Sequence, residues 1–294
     1  MLPFIPEPLR IDNVRTKDGA GLDVLRADLV HPVISGNKWF KLRYYLEELQ
    51  EQRRRHIITF GGAYSNHIIA TAAAAHALGL RCTGLIRGER PPVLSPTLIH
   101  AQQLGMQLHF LSREVYKEKE VPAALRSEDM YVIPEGGYGA KGAAGAGTML
   151  SGNTRIYSHI CCATGTGTMM AGLQNAAAPG QEIIGISVLK NNHDLENEVR
   201  QLLHRPHQPV TLLHQYAGKG YGRHTPELLA FMNEWYEQTG IPGDFVYTGK
   251  LFFAVNELLR QGFFPTGSKI LLIHSGGLQG NASLTKGTLI FGDY

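Results

Sequence analysis

The chain has 294 residues, of which 43% are hydrophobic, 18% are charged and 34 are glycine, as in a globular protein with many turns. Its net charge is only +3, which gives no reason to expect nucleic acid or a membrane surface as a partner, and no run of about 18 apolar residues predicts a membrane span. Three cysteines and an N-terminus without a secretory signal pattern predict a cytoplasmic protein without a disulfide framework.

Strand-like and helix-like segments alternate through the first half of the chain. Ser65 or Asn66 can cap a helix over 65–79, which Gly79 ends. The glycine-rich run over 136–147 is either a flexible linker or the crossing from one α/β unit to the next. The strand-like segments are 56–62, 81–88, 107–112 and 130–137, and the helical segments are 65–79, 95–105 and 121–127. This alternation is typical of a parallel sheet with crossover helices.

The second half repeats this pattern. A strand, a Gly/Thr loop and a helix cover 155–177, and a strand-like segment over 269–281 runs into glycines. Between them lie a strand at 182–189 and helices at 195–204, 226–240 and 251–262. The prediction is an α/β fold of two open, mostly parallel twisted sheets with flanking helices. Ligands bind at the carboxyl ends of strands in such sheets, so the glycine-rich strand ends are the places to look for a site.

Three short stretches carry chemical information. The loop in "CATGTGTMMAGL" (162–173) opens into a helix, where free backbone N–H groups bind anions such as phosphate. The stretch "FGGAYSNH" (60–67) enters a helix through polar residues, as a carboxylate site or as a simple N-cap. In "SGNK", Lys38 occupies the first turn of a helix, where the dipole disfavours a cation. Lys38 is either surface charge or a desolvated amine that can act as a nucleophile.

These stretches occur in an order that resembles the fold type II pyridoxal-phosphate enzymes, which have a tryptophan synthase β-like fold. Within them, the chain is similar to the group of D-cysteine desulfhydrase and 1-aminocyclopropane-1-carboxylate (ACC) deaminase. The matching segments are "SGNKWFKL", "GGAYSNH", "IPEGGYGAKG", "GTGTMMAGL", "VYTGK" and "HSGGLQGN", which span residues 29–281. The resemblance implies a larger cofactor-binding domain of 1–40 plus 139–294 and a smaller α/β domain of 41–138.

The resemblance implies pyridoxal 5'-phosphate as the cofactor. Lys38 would be its Schiff-base lysine and, once released, the base that moves protons at Cα or Cβ. Ser65, Asn66 and His67 would receive the substrate carboxylate, with Asn66 also holding the cofactor's phenolic oxygen and Ser65 serving in proton relay or as a nucleophile. The residues that would cradle the phosphate are Gly165, Thr166, Gly167 and Thr168.

Two further positions separate the activities of this group. The resemblance brings Tyr247 to the ring or the substrate, as an acid or base or as a stacking partner. It brings Thr248 to the pyridine nitrogen and Ser275, in the final glycine loop, to the substrate. Similar ACC deaminases have glutamate and leucine in place of Thr248 and Ser275. A hydroxyl is compatible with a neutral nitrogen and a weaker electron sink, which suffices to expel a thiolate because thiols have a pKa of about 8.5. The alternatives are that Tyr247 is core, Thr248 a helix cap and Ser275 a small residue at a turn.

The sequence therefore predicts β-elimination from D-cysteine or a similar amino acid to pyruvate, ammonia and sulfide. The resemblance to homodimeric enzymes implies that the protein is a homodimer. The alternatives within the class are ACC deaminase, a racemase and a dehydratase. The alternatives that are not enzymes are a non-catalytic binding protein and a nucleotide-binding module. A nucleotide-binding module would leave Lys38 unexplained. The histidines lack metal-ligand spacing, so no metal site is expected.

Overall fold

The computed structural model describes residues 8–15 and 21–292. In this part of the chain there are ten strands: β1 (Ile11–Arg15), β2 (Gly21–Leu25), β3 (His56–Gly61), β4 (Arg81–Arg87), β5 (Met106–Leu111), β6 (Met130–Ile133), β7 (His159–Thr164), β8 (Glu182–Ser187), β9 (Thr211–Leu213) and β10 (Ile270–Ile273). The same residues form nine α-helices: α1 (Asn37–Glu51), α2 (Asn66–Ala77), α3 (Pro96–Gln103), α4 (Arg113–Lys117), α5 (Ala140–Gly147), α6 (Thr168–Ala176), α7 (Leu195–Arg200), α8 (Pro226–Thr239) and α9 (Thr248–Arg260).

The strands form two sheets. The larger has the order β1-β2-β10-β7-β8-β9, and the smaller has the order β5-β4-β3-β6. Every pairing between described strands is parallel except that of β1 with β2. The predicted fold of two mostly parallel sheets is thus what the chain adopts. The smaller sheet lies wholly within 41–138, while the boundary at 40/41 falls inside α1, so the division into two domains stays a prediction.

The glycine-rich run over 136–147 is not a linker, because most of it is helix α5, packed between α1 and α6. Its glycines let backbones approach closely. A Cβ on Gly142 would lie 1.9 Å from the Gly137 carbonyl oxygen, and one on Gly145 would lie 2.0 Å from the Phe40 oxygen. The linker interpretation was wrong because small residues in a tightly packed helix have the same composition as a flexible segment.

Near the smaller sheet, one helix prediction differs from the structure and one helix was not predicted. The segment 121–127 contains only a 3-10 turn over Ala123–Leu125, since little chain remains before β6 begins at Met130. A short helix, α4, lies earlier and is capped by Ser112, whose Oγ accepts the Val115 N–H at 3.3 Å. Strands β1, β2 and β9 were not predicted. They lie at or next to the edges of the larger sheet, and β1 is largely polar.

The three cysteines belong to the core. Cys161 and Cys162 are fully buried in β7, Cys82 is buried in β4, and burial raises the pKa of each thiol. These residues pack rather than react. In the part of the chain that is described, no helix has the length and apolar character needed to span a membrane.

Candidate active site

The Gly/Thr loop joins β7 to α6. Within it, Gly167 has φ of +75°, and no side chain caps the N-terminus of α6. A Cβ on Gly165 would lie 3.3 Å from the Tyr247 ring, and one on Gly167 would lie 2.8 Å from Val199, so the loop is held closely on both sides. Its N–H groups and the helix dipole are therefore available to bind an anion, and the phosphate-binding role of the loop stays a prediction.

Lys41 lies against this loop and was not predicted from the sequence. Its Nζ donates to the Gly136 carbonyl at 2.9 Å and lies 3.4 Å from Thr166 Oγ1, and the residue is only 3% exposed. Burial and the neighbouring Lys38 hold the pKa of Lys41 well below its usual value. No carboxylate pairs with it among the described residues, so an anion in the loop would supply the missing charge.

Lys38 lies one turn before Lys41 on the same face of α1. Its Nζ donates to Asn37 Oδ1 at 2.8 Å. Burial lowers the pKa of Lys38 to about 8, against the opposing effect of Asp244. A lysine with that pKa has an appreciable neutral fraction near neutral pH and is a nucleophile. Of the two interpretations of Lys38, surface charge or a desolvated amine, the structure favours the desolvated amine.

The turn before Lys38 docks on the turn after β10. Gly36 has φ of +62°, and a Cβ there would lie 1.9 Å from the Ser275 carbonyl oxygen. The same oxygen accepts the Asn37 N–H at 3.1 Å. Ser275 therefore supports α1 through its backbone. The substrate-binding role of its side chain stays a prediction.

The loop that leads into α2 presents two distinct polar groups. Ser65 Oγ caps α2 by accepting the N–H groups of His67 and Ile68 at 3.2 and 3.3 Å, which leaves the hydroxyl proton free to donate. Asn66 Oδ1 is buried without a hydrogen-bond partner among the described residues. A buried unpaired amide oxygen is costly, which indicates that a ligand completes this site.

His67 is turned away from this polar loop. The Thr59 hydroxyl donates to the Ile133 carbonyl at 2.8 Å, so it can only accept from His67 Nε2, also at 2.8 Å. Nδ1 is then a bare acceptor, and burial together with Lys38 and Lys41 holds the pKa of His67 well below its usual value. The neutral ring offers no donor for a carboxylate, so the predicted contact with substrate has no support in this geometry.

Asp244 organises the start of α9 and was not predicted. It is fully buried, and its Oδ2 accepts the Val246 and Tyr247 N–H groups at 3.0 and 2.9 Å. Its Oδ1 accepts the Thr248 N–H at 2.8 Å and the Thr248 hydroxyl at 2.7 Å. Four donors are the pattern of an ionised carboxylate, although burial raises the pKa of Asp244 and these bonds only partly oppose it.

The Thr248 hydroxyl therefore already uses its proton and one lone pair in hydrogen bonds with Asp244. Its proton goes to Asp244, and it accepts the Asp244 N–H at 2.7 Å, which leaves one lone pair. Thr248 can therefore accept a further hydrogen bond but cannot donate one. This corrects the physical basis of the sequence argument, since a hydroxyl that pairs with a neutral pyridine nitrogen must donate to it.

Tyr247 and Tyr221 meet on the side of the larger sheet. Their rings are T-shaped with centroids 6.1 Å apart, and Tyr247 also borders Gly165. Burial, Tyr221 and Asp244 raise the pKa of Tyr247 well above its usual value, so its phenol stays protonated. Tyr221, which was not predicted, follows a loop anchored by Lys250, whose Nζ donates to the carbonyls of Ala217 and Gly220 at 2.9 and 2.8 Å.

The structure thus brings Lys38, Asn66, the Gly/Thr loop and Tyr247 together, with no cluster of three or more metal-binding side chains among the described residues. A family described as pyridoxal-phosphate dependent enzymes matches residues 6–276. A protein of Arabidopsis thaliana, named bifunctional D-cysteine desulfhydrase/1-aminocyclopropane-1-carboxylate deaminase, mitochondrial, is 29% identical and covers 95% of this chain and 78% of its own length.

Two further proteins are similar over most of their length. The D-cysteine desulfhydrase of Yersinia pestis (strain Pestoides F) is 28% identical and covers 90% of this chain and 89% of its own. A solved structure described as an ACC deaminase homologue superposes with a TM-score of 0.82 at 28% identity, covering 95% of this chain and 92% of its own. The two-sheet architecture predicted from the sequence is shared with that structure.

Proposed function

The chain belongs to the family of pyridoxal-phosphate-dependent enzymes, and on that premise we propose that it catalyses β-elimination from D-cysteine or a similar β-substituted amino acid. The products are pyruvate, ammonia and sulfide, with one water consumed. The observation that carries the proposal is the pair of lysines on α1, of which Lys41 is buried and Lys38 is partly buried. Lys41 contacts the anion loop at Thr166, and Lys38, one turn earlier, has a pKa lowered to about 8.

The residues present fit the cofactor. Lys41 has no carboxylate partner among the described residues, and Asn66 Oδ1 is buried without a partner. Gly277 packs closely against two of the site's polar residues, since a Cβ there would lie 2.8 Å from Asn66 Nδ2 and 3.4 Å from Asp244 Cγ. We propose that Lys38 binds the aldehyde and Asn66 the phenolic oxygen. The phosphate would be held by Lys41 and by the loop residues Gly165, Thr166, Gly167 and Thr168.

Pyridoxal phosphate, when bound, supplies an aldehyde that condenses with amines and a ring that stabilises negative charge at Cα. The protein's own groups then divide the proton transfers. The neutral amine of Lys38 takes the proton from the substrate Cα, since its lowered pKa leaves a base near neutral pH. The Ser65 hydroxyl proton is free to bind the substrate carboxylate. Tyr247 stays protonated and can donate a hydrogen bond to the departing sulfur.

The choice of a thiolate leaving group rests on Thr248. A carboxylate in that position would place a full charge at the ring nitrogen, whereas a hydroxyl offers a weaker partner. One observation favours ACC deamination as a second candidate. The buried Asp244 carboxylate lies one hydrogen bond behind Thr248, at 2.7 Å, and through that hydroxyl it can favour a protonated ring nitrogen.

We propose that the protein works as a cytoplasmic homodimer. The resemblance to homodimeric enzymes supports the oligomeric state, and three buried, unpaired cysteines suit a reducing compartment. Light scattering of the purified protein tests the dimer directly.

A substrate screen tests the function. Keto-acid release by the cofactor-loaded protein is measured with D-cysteine, L-cysteine, D-serine, β-chloro-D-alanine and ACC, with Lys38→Ala as the control. Turnover of D-cysteine or chloroalanine well above that of ACC, abolished in Lys38→Ala, is the expected result. Efficient turnover of ACC would replace the first candidate by the second, and no turnover of any of them would contradict both.

A further inference from the structure

Lys250 is a buried lysine that takes no part in the proposed reaction. It lies in the first turn of α9 and is only 3% exposed. The helix dipole disfavours a cation in that position, and burial lowers the pKa of Lys250 to about 8. Among the described residues no carboxylate forms an ion pair with this amine, so other groups must hold it in place.

Three backbone carbonyls hold the amine. Its Nζ donates to Ala217 at 2.9 Å, to Gly220 at 2.8 Å and to Val188 at 3.4 Å. An ammonium has three N–H donors, so each donor has an acceptor and none is left over for a substrate. Backbone carbonyl oxygens are also ligands of dehydrated K⁺. The Lys250 side chain is thus a cation tethered among three carbonyl oxygens.

One of these carbonyls lies next to the Gly/Thr loop. Val188 follows β8, and its N–H donates to the Thr164 carbonyl at 3.1 Å. Thr164 ends β7, directly before the Gly/Thr loop. Lys250 therefore joins the first turn of α9 to the strand ends on which the candidate site is built.

The other two carbonyls belong to a glycine-rich loop over 217–222, with the sequence "AGKGYG". Its three glycines all have positive φ, between +60° and +99°. A Cβ on Gly218 or on Gly222 would meet nothing within 4 Å, so close packing does not hold these two glycines. Because glycine gives the backbone many accessible conformations, this loop needs contacts from other elements to keep one of them. Lys250 supplies two such contacts.

Tyr221 is the residue that this loop carries to the candidate site. Its ring packs against that of Tyr247 with centroids 6.1 Å apart, and Tyr247 borders the Gly/Thr loop at Gly165. Tyr221 is 42% exposed, so packing against Tyr247 covers only part of it. Its place therefore depends on the backbone before it, where Lys250 holds the Gly220 carbonyl.

We propose that Lys250 is a positioning residue, a tethered cation that fixes the loop over 217–222 and so holds Tyr221 against Tyr247. Its effect on the rate rests on the proposed function, in which Tyr247 donates a hydrogen bond to the departing sulfur. Its effect on the loop does not depend on that function. Once the side chain is removed, a free cation can replace a tethered one, whereas it cannot replace a residue that only fills the core.

Chemical rescue tests this role. Lys250→Ala removes the amine and leaves the three carbonyls facing an empty space, whereas Lys250→Met fills that space without a charge. For the cofactor-loaded protein, kcat with D-cysteine is measured in increasing KCl or NH₄Cl, and tetramethylammonium chloride controls for ionic strength. Lys250→Ala should lose about tenfold or more in kcat, as displaced active-site groups do, and K⁺ or NH₄⁺ should restore most of the loss. The wild type and Lys250→Met should not respond to either cation.

Hydrogen–deuterium exchange reports on the loop without any reaction. In cofactor-loaded Lys250→Ala and Lys250→Met, the amides of 217–222 should exchange about tenfold faster than in the wild type, because the loop has lost its charged anchor. K⁺ should slow this exchange again in Lys250→Ala and leave it unchanged in Lys250→Met. Lys219→Ala removes an exposed lysine from the same loop and should change neither the exchange nor the rate.

Two results would overturn the proposal. One is a Lys250→Met enzyme with the rate and the loop exchange of the wild type, and this variant decides the outcome if Lys250→Ala does not fold. The other is a Lys250→Ala enzyme that loses activity and loop protection and recovers neither with any of the cations. Loop protection that K⁺ restores in a protein without turnover would contradict only the proposed function.

Discussion

Gly36 has a closely constrained position before Lys38, and its substitution by alanine has a calculable effect. With φ of +62°, an L side chain at this position is strained by about 1–2 kcal/mol. The new Cβ would also lie 1.9 Å from the Ser275 carbonyl oxygen and 2.4 Å from the Gly276 nitrogen, both backbone atoms. The two turns must therefore separate by more than about 1 Å, at a cost of about 1–3 kcal/mol for overpacking.

Gly79 provides a matched control. Its φ is +64°, and a Cβ there would meet nothing within 4 Å, so Gly79→Ala carries the backbone strain without the collision. We expect Gly79→Ala to lower the free energy of unfolding by about 1–2 kcal/mol and to retain cofactor binding. Gly36→Ala should lose about 1–3 kcal/mol more and bind the cofactor weakly, because Lys38 moves with the turn.

Urea denaturation gives the two free energies, and the visible absorption of the bound cofactor reports on Lys38. Equal destabilisation by the two variants, with the visible band intact in both, would refute the argument that the turn at Gly36 depends on contact with Ser275.

Four other predictions concern buried polar groups. In cofactor-free protein, reductive methylation of Lys38, followed by mass spectrometry, should be half-maximal near pH 8; a midpoint near pH 10 would contradict its desolvation. Lys41→Met should weaken cofactor binding in equilibrium dialysis by about tenfold or more, since a charge-assisted contact to the phosphate is lost, without destabilising the cofactor-free protein; unchanged affinity would be the contrary result. Thr248→Val should lower the unfolding free energy by about 1–3 kcal/mol, because it leaves Asp244 short of a donor. Thr248→Ser keeps both hydrogen bonds and should cost little. Equal losses in the two variants would argue against the Asp244 contact. The pKa of His67 is lowered in the folded state. Its contribution to stability is therefore present above about pH 6.5 and is lost as the pH falls, because the unfolded chain then takes up the proton. His67→Gln should flatten this part of the pH profile of the unfolding free energy, and an unchanged slope would contradict the prediction.

The part of the site that the sequence predicts comes from local patterns. Ser65 caps α2 as expected, because N-capping depends on residues within one turn of each other. The Gly/Thr loop opens α6 for the same reason, since its glycines and threonines specify the backbone locally. Sequence periodicity likewise indicates the strands of the smaller sheet, whose central strand β3 is continuously buried.

The residues that were missed take their meaning from distant parts of the chain. Lys41 is a single lysine in a helix until Gly136 and Thr166, about 95 and 125 residues away, come to its amine. Asp244 resembles any acidic residue before a helix, and Tyr221 any loop tyrosine. The spacing of Lys38 and Lys41 at i and i+3 was the one local signal available, because such residues share a helix face.

The attachment point of the cofactor tests the account most directly. The purified, cofactor-loaded protein is reduced with borohydride, which makes the bond between lysine and cofactor permanent, and its peptides are mapped by mass spectrometry. We predict that the cofactor label lies on Lys38 alone, because its amine has the accessible pKa of about 8 while Lys41 is bound to Gly136 and Thr166. A label on Lys41, or no label on any lysine, would contradict the assignment of Lys38 as the reactive group of this enzyme.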